Sequence, residues 1–519
     1  MIGLLIQDNA YEQDIRELLM SFYPGETYAH EVKENIDFYV QTRLKDGEAV
    51  IGIWEKLENG EESAGAAVNA AGVEAKDSAV AVEKQTDSNM SAPEGLEGWT
   101  LTAHFAGKAD LSDHSATKNV IKKLFYQMLV GRTGHELPWG SLTGIRPTKI
   151  ALSRLEDGWK EDDIRRFMKE TYMTSDEKIN LSVEIAAREK RLMEPINYDS
   201  GYSLYVGIPF CPTTCLYCSF TSYPISKWKG RTGLYLEALF KELEYTAEKM
   251  KGRPLDTIYF GGGTPTSLPA EDIDAILCKL EQLFDTKNAL EFTVEAGRPD
   301  SITEEKLKVL ASHGISRISI NPQTMNQKTL DLIGRRHTVE NVKEKFHMAR
   351  ALGFDNINMD LIMGLPGEDL DDVKHTLEEI EALKPDSLTV HSLAIKRAAR
   401  LNMFKEEYAD LKISNTPEMI ALSEACARRM GMEPYYLYRQ KNMAGNFENV
   451  GYSLPGKACL YNILIMEELA TIVACGAGTT TKVVFPSENR RERCENVKEV
   501  EQYISRIDEM IGRKEKILY

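Results

Sequence analysis

Residues Tyr205–Pro224, YVGIPFCPTTCLYCSFTSYP, decide how this chain is read. An apolar, strand-like run breaks at Pro209 and delivers Cys211, Cys215 and Cys218 onto one tight loop, spaced C-x3-C-x2-C with aromatic residues beside the last thiol. Three thiolates so spaced can hold three irons of a 4Fe–4S cluster and leave the fourth iron open to a ligand that is not protein. An open iron is a reaction site. The same trio would need a fourth ligand to make a zinc centre, and His391 is the candidate for it.

Outward from this loop, strand and helix alternate. The strand candidates SLYVGI, DTIYFGG, LEFTVEA, RISINP, NINMDLIMG and SLTVHSL follow one another, with helical segments filling the gaps. Such a succession implies a parallel sheet with right-handed crossovers, either open or closed into a complete or partial barrel. Catalytic residues of barrels sit at the C-terminal strand ends, on one face. The cysteine loop, the GGGTPT run from Gly261 to Thr266, Glu295, Gln323, Asp360 and His391 are therefore expected around one mouth.

The chemistry of those residues fits a polar ligand. Gly261, Gly262 and Gly263 would let a backbone approach closely and expose amides as a cradle for a carboxylate or ribose. The run is not a dinucleotide fingerprint, because GxGxxG is absent and Pro265 interrupts the helix start. Glu295 and Asp360 suit ribose hydroxyls or an ammonium group, and Arg335, beyond Gln323, can clamp a carboxylate.

The flanks are less regular. Residues 1–57 and 98–135 read as a small α+β domain: MIGLLIQ as a strand, Tyr11–Phe22 as a helix, IDFYVQTRL and EAVIGIWEKL as a hairpin, and GWTLTAHFAG as a further strand. Between them, 58–97 is rich in Ala, Gly, Ser and Glu without an aromatic residue, and reads as a disordered insertion. Residues 136–200 read as a helical connector, 201–395 as the barrel, and 396–519 as a C-terminal α/β region covering the substrate. In that last region EPYYLYRQKNMAGNFENVGY resembles a segment lying over a pocket, and CGAGTTTKVVF a glycine turn closing against a ligand. Arg397, Arg439, Lys441 and Lys482 are positional candidates for binding substrate carboxylates.

Composition limits the alternatives. Lys and Arg number 63 against 80 Asp and Glu, a formal charge of −17, which argues against non-specific binding to nucleic acid or an anionic membrane. Glu467 and Glu468 interrupt the apolar stretch 460–477, so no membrane span is expected, and the first residues lack the basic region of a signal peptide. A cytoplasmic location follows as an expectation. Five of the 8 cysteines are scattered singly and read as buried free thiols.

CPTTCLYC resembles the radical S-adenosylmethionine signature. Together with YVGIPFC, YFGGGTPT, VEAGRP, INPQT, the Arg335 position and NMDLIMGLPGE, it resembles the coproporphyrinogen oxidase-like branch, and within it the HemZ-type oxygen-independent coproporphyrinogen III dehydrogenases. The resemblance implies a partial (β/α)6 barrel with a small N-terminal α+β domain and a C-terminal α/β extension. It implies that Cys211, Cys215 and Cys218 ligate a 4Fe–4S cluster whose open iron chelates S-adenosylmethionine. Tyr205, Gly262, Gly263, Thr264, Glu295, Gln323, Arg335 and Asp360 match cofactor-contacting positions, with Tyr217 and Ala394 contributing through backbone. It further implies a low-potential electron donor such as flavodoxin or ferredoxin, and a porphyrinogen or haem as the small-molecule ligand. In the oxidase a 5′-deoxyadenosyl radical takes hydrogen from a propionate, and loss of carbon dioxide and an electron leaves a vinyl group. Two positions depart from the oxidase pattern: Gly207 stands where histidine is common, and Phe220 stands where a fourth cysteine follows. Phe220 resembles the haem-chaperone relatives, whose C-terminal histidine motif this chain replaces with GNFENVGY.

Overall fold

Phe38–Lys45 and Glu48–Glu55 form an antiparallel pair, and these strands, β3 and β4, sit in a sheet of five. The computed structural model describes residues 1–33, 35–56, 92–144, 146–220, 222–396, 399–403, 411–440, 443, 445 and 447–518. They divide into two units, Met1–Pro147 with Ser153–Val183, and Thr148–Leu152 with Glu184–Tyr519. The first unit holds β1 (Ile2–Ile6), β2 (Tyr28–Ala29), β3, β4 and β5 (Thr100–Lys108) in the order β2-β1-β3-β4-β5. Helices Glu12–Phe22 and His114–Thr133 contribute Ile15, Leu18, Leu19, Leu124, Phe125 and Leu129 to the core on its packed face. Of the stretch read as a disordered insertion, 58–91 lie outside the described residues. Its end is packed rather than loose: Leu96 is 1% exposed and lies among Ala29, Ile36, Tyr39 and Trp54.

The second unit is organised by a sheet of 11 strands. Its strands are β6 (Tyr202–Ile208), β9 (Leu255–Gly262), β10 (Glu291–Gly297), β11 (Arg317–Ile320), β12 (Ile357–Met363), β13 (Ser387–Ser392), β14 (Glu433–Tyr438), β15 (Asn449–Ser453), β16 (Ile472–Cys475), β17 (Thr480–Phe485) and β18 (Arg490–Glu495). The numbers β7 and β8 belong to Phe210–Cys211 and Tyr223–Pro224, a separate two-residue ladder. The sheet order is β14-β15-β13-β12-β11-β10-β9-β6-β16-β17-β18. The six strands read from the sequence are thus neighbours in chain order, all parallel, with helices on the crossovers. Most of their residues are buried, yet β10 (EFTVEAG), β11 (RISI) and β13 (SLTVHS) alternate apolar residues with polar ones.

The edges were not legible beforehand. β15 pairs antiparallel with β13 at one edge, and β16 pairs parallel with β6 at the other. The apolar stretch 460–477 resolves into a helix, Leu460–Glu467, and the buried strand β16, which explains its hydrophobicity. Among the described residues no helix is long and apolar enough to cross a membrane.

Candidate functional site

The cysteine loop is pinned at both ends and in the middle. The β7–β8 ladder pairs Phe210 with Tyr223, and the Tyr223 N–H donates to the Pro209 carbonyl at 2.8 Å. Between them Leu216 N–H donates to Ile333 O at 3.0 Å and Thr213 Oγ1 to Gly334 O at 3.1 Å. Leu216 itself is buried with Ile333, Ile362, Leu365, Leu393 and Leu401. A loop so anchored presents its thiols at fixed positions. Cys211 Sγ lies 3.4 Å from Thr264 Oγ1, and Cys215 Sγ lies 3.6 Å from Arg298 Nη1.

The spacing of the thiols separates two metal chemistries. Among the described residues, the one set of three ligand atoms all within 4.8 Å of one another is Asp274, Cys278 and His313, so at least one pair of the three loop sulfurs is farther apart than that. A tetrahedral zinc with bonds of about 2.3 Å would hold its sulfurs roughly 3.8 Å apart. His391, the candidate fourth zinc ligand, faces Asp360 at 3.9 Å and Tyr438 at 3.4 Å instead. A trio not gathered that tightly fits thiolates on separate irons of one cluster. Burial pushes the Cys211 thiol up, and burial with the neighbouring Cys215 and Cys211 pushes Cys218 up to about 11 despite a hydrogen bond from the Phe220 backbone. Metal binding by these thiols would release their protons.

The glycine run serves close packing more than amide exposure. Gly263 N–H donates to Ile208 O and Thr264 N–H to Phe210 O, both at 2.7 Å, so these amides are spent on the strand and cysteine loop rather than offered to a ligand. A side chain at Gly263 would put its Cβ 2.5 Å from Phe210 O and 3.0 Å from Cys211 Sγ. At Gly262 φ is +112°, a value that favours glycine, and a Cβ would meet Ile208 O at 2.9 Å. The backbone beside the thiols is thus bare.

Polar side chains gather at the strand ends that follow. Glu295, at the end of β10, accepts a 2.5 Å hydrogen bond from Tyr259 OH. Burial raises its pKa to about 7, against the pull of Tyr259 and with help from the Asp360 charge. Asp360, on β12, behaves oppositely: burial pushes it up, but His391, Asn358 and Thr389 outweigh that and hold it below its ordinary value. Gln323 sits between, with φ +72° in a region non-glycine residues seldom adopt, its N–H donating to Asp360 O at 3.0 Å. Arg335 is buried, donates from Nη1 to Asn321 O at 2.6 Å, and leaves Nε without a partner. Tyr217 lies against Arg335, its hydroxyl raised by burial. Tyr205 packs against both Tyr259 and Tyr461, centroids 6.0 and 5.9 Å away, and those two rings stack on each other at 4.4 Å. Ala394 bridges to Met443.

Glu295 gives a pH prediction. Its folded pKa lies above the ordinary 4.5, so its contribution to stability is full below 4.5 and is lost as pH rises through about 7. In cofactor-free protein, Glu295→Gln should therefore gain stability relative to the parent between those pH values, by up to about 3 kcal/mol. Parallel urea titrations across pH 4–8 measure the difference; a flat difference would show an unperturbed carboxylate.

Several residues fell outside the sequence reading. Arg298, 3% exposed, lies between Cys215 and Asp300, and the fully buried His337 stands behind Asp300 at 3.8 Å. The signal available was an arginine and an aspartate two positions apart directly after β10. Of the positional candidates, Lys482 is engaged by Glu468 at 2.9 Å, Arg439 is buried, and Arg397 and Lys441 lie outside the described residues. The second glycine turn closes on protein, not on a ligand: a Cβ at Gly476 would sit 2.4 Å from Gly207 O.

That contact accounts for one departure from the oxidase pattern. A Cβ at Gly207 would meet Thr479 Cγ2 at 2.5 Å, so the position has no room for histidine. Gly207→His is expected to cost about 1–3 kcal/mol through overpacking. Adding Thr479→Ala should recover part of it, as thermal denaturation of the single and double variants would show.

Residues 205–380 match the Radical SAM superfamily model. The chain is 42% identical over 445 residues to the oxygen-independent coproporphyrinogen-III oxidase-like protein HemZ of Bacillus subtilis, covering 84% of this chain and 88% of that protein. It is 38% identical over 195 residues to the heme chaperone HemW of the same organism, covering 37% of this chain and 51% of HemW. Among solved structures it is similar to coproporphyrinogen III oxidase (HemN) from Escherichia coli, at 24% identity and a TM-score of 0.49 over 60% of this chain and 70% of that one. Identity at this level across nearly the whole of HemZ, together with the cysteine loop on a parallel α/β sheet, means that the chain belongs to the radical S-adenosylmethionine superfamily, in its coproporphyrinogen oxidase-like branch, a family that works with a 4Fe–4S cluster and S-adenosylmethionine.

Proposed function

We propose that this protein carries out the oxygen-independent oxidative decarboxylation of coproporphyrinogen III to protoporphyrinogen IX in haem biosynthesis. The observation that carries the reading is the convergence of three buried-loop thiols with a ring of polar strand ends in which Arg335 Nε has no protein partner. Identity with HemZ over 84% of the chain supports extending it to the flanking regions.

Each residue then has a task. Cys211, Cys215 and Cys218 hold the cluster. Arg335 offers its unpartnered Nε to the cofactor carboxylate, and a guanidinium suits that planar anion. Glu295 and Asp360 receive ribose hydroxyls or the ammonium group, while Gln323, Tyr205, Tyr217 and Ala394 line the same mouth. Gly262, Gly263 and Thr264 flank the thiols: without a Cβ the two glycines pack directly on Ile208, Phe210 and Cys211, and Thr264 Oγ1 lies 3.4 Å from Cys211 Sγ. When bound, the cluster and S-adenosylmethionine supply a one-electron reductive cleavage that yields a hydrogen-abstracting carbon radical. The electron comes from a low-potential donor such as flavodoxin or ferredoxin. A propionate that gives a hydrogen atom to that radical, releases carbon dioxide and passes one electron to an external one-electron acceptor becomes a vinyl group, and two such rounds would complete the conversion. The buried Tyr461 and the half-buried Tyr205 and Tyr259 stack together and would limit the access of water to these strand ends.

Anaerobically reconstituted protein given dithionite, S-adenosylmethionine and coproporphyrinogen III should form protoporphyrinogen IX. 5′-Deoxyadenosine with an untouched porphyrinogen would refute the substrate while leaving the radical class intact. One observation favours a second reading, a haem carrier: Phe220, 71% exposed, occupies the place of the oxidase's fourth cysteine, and HemW is among the relatives. That reading predicts stoichiometric haem binding and transfer without turnover.

A further inference from the structure

Arg298 is placed where it can act on the iron site without touching a substrate. It follows β10 directly, and its guanidinium is 3% exposed. Nη1 donates to Thr213 O at 3.0 Å and Thr213 Oγ1 at 2.7 Å, and reaches Cys215 Sγ at 3.6 Å. On its other side Nε and Nη2 grip Asp300 at 2.9 and 2.7 Å. The carboxylate stays ionised: burial raises it, but His337 and Arg298 outweigh burial and hold it well below the usual range. The arginine is thus locked in one orientation, a full positive charge aimed at one sulfur. A bidentate carboxylate on one edge and a carbonyl on the other leave it no alternative rotamer.

We propose that Arg298 is a positioning residue that raises the reduction potential of the cluster through its hydrogen bond and charge at Cys215, with Asp300 moderating that charge. The proposal rests on reading Cys215 as an iron ligand. Hydrogen bonds to ligating sulfurs and nearby net charge are among the determinants of iron–sulfur potentials. Reduction adds one electron, so a fixed cation beside a thiolate ligand favours the reduced form. Removing the cation should disfavour it, and removing the anion behind the cation should do the opposite. A residue that merely clamped the loop would not produce effects of opposite sign.

The test is an anaerobic dithionite titration, read by electron paramagnetic resonance, of reconstituted full-length protein and the variants Arg298→Met, Arg298→Lys and Asp300→Asn. Iron and sulfide are counted in each. With cluster content equal to the parent, Arg298→Met is expected to shift the reduction equilibrium at least tenfold toward the oxidised form, about 59 mV for a one-electron couple. Asp300→Asn should shift it toward the reduced form, and Arg298→Lys should fall between the parent and Arg298→Met. Unchanged potentials, or shifts of the same sign in Arg298→Met and Asp300→Asn, would overturn the proposal while the ligand reading stands. If Arg298→Met loses iron, Asp300→Asn decides alone: a potential no higher than the parent's overturns the proposal. A parent protein that assembles no cluster would overturn the ligand reading and, with it, this proposal.

Discussion

Cys215→Ala is expected to abolish cluster assembly and every activity that depends on it while leaving the fold near native. The reason lies in where the stability resides. Cys215 is on a loop, not in the parallel strands, and the loop is held by backbone bonds from Leu216 to Ile333 and by the packing of the Leu216 side chain. Losing one buried sulfur should cost about 1–2 kcal/mol, small against the core of the sheet. Losing a third of the protein's iron ligands leaves a site that cannot retain the cluster. Iron and sulfide analysis after anaerobic reconstitution should give none above background, and circular dichroism should superpose on the parent. Global unfolding of the variant would mean that the loop organises the fold.

The second large effect lies far from the thiols in sequence. Lys514 and Glu242 form a salt bridge with both side chains at 1% exposure or less. The lysine also donates to Ala474 O, and Glu242 accepts from Gly476 N–H at 2.7 Å, Asn496 Nδ2 at 2.7 Å and Tyr503 OH at 2.5 Å. From there Tyr235 OH reaches Gly207 O at 2.6 Å, on the strand that leads to the cysteine loop. The knot joins the C-terminal helix, Ile507–Glu515, to the edge of the barrel sheet. Lys514→Ala leaves a carboxylate buried without its counter-charge, expected to cost about 3–5 kcal/mol. The melting temperature should fall by roughly 5–10 °C. Glu242→Gln combined with Lys514→Met should recover most of that loss, because no buried charge is then left unpaired. A Lys514→Ala protein as stable as the parent would mean that water reaches Glu242.

What could be read beforehand followed from pattern. The six central strands are short segments rich in Ile, Val, Leu and Phe that recur at regular intervals between helical patterns, and that recurrence stands out in one dimension. The edge strands did not. Ile472–Cys475 merges into an apolar stretch with the preceding helix, and β17 and β18 carry Lys482, Arg490, Arg491 and Arg493, which hide a strand in charge. At the site, the placement of the cysteine loop after β6, of Glu295 on β10 and of Asp360 on β12 could be read from the strand pattern. Their partners could not. Tyr259 on Glu295, His391 on Asp360 and Arg298 on Cys215 are contacts between separate strands and loops, fixed by side-chain direction that no spacing encodes. Gly207 is a further case: the glycine is visible, but the Thr479 methyl that requires it comes from over two hundred residues later.

The most direct measurement is the yield of 5′-deoxyadenosine and carbon dioxide from anaerobic, reconstituted protein with and without coproporphyrinogen III. The account predicts that the porphyrinogen raises 5′-deoxyadenosine formation and that one carbon dioxide appears for each 5′-deoxyadenosine, with neither formed by Cys215→Ala. 5′-Deoxyadenosine formation unaffected by coproporphyrinogen III, with no carbon dioxide released, would contradict it.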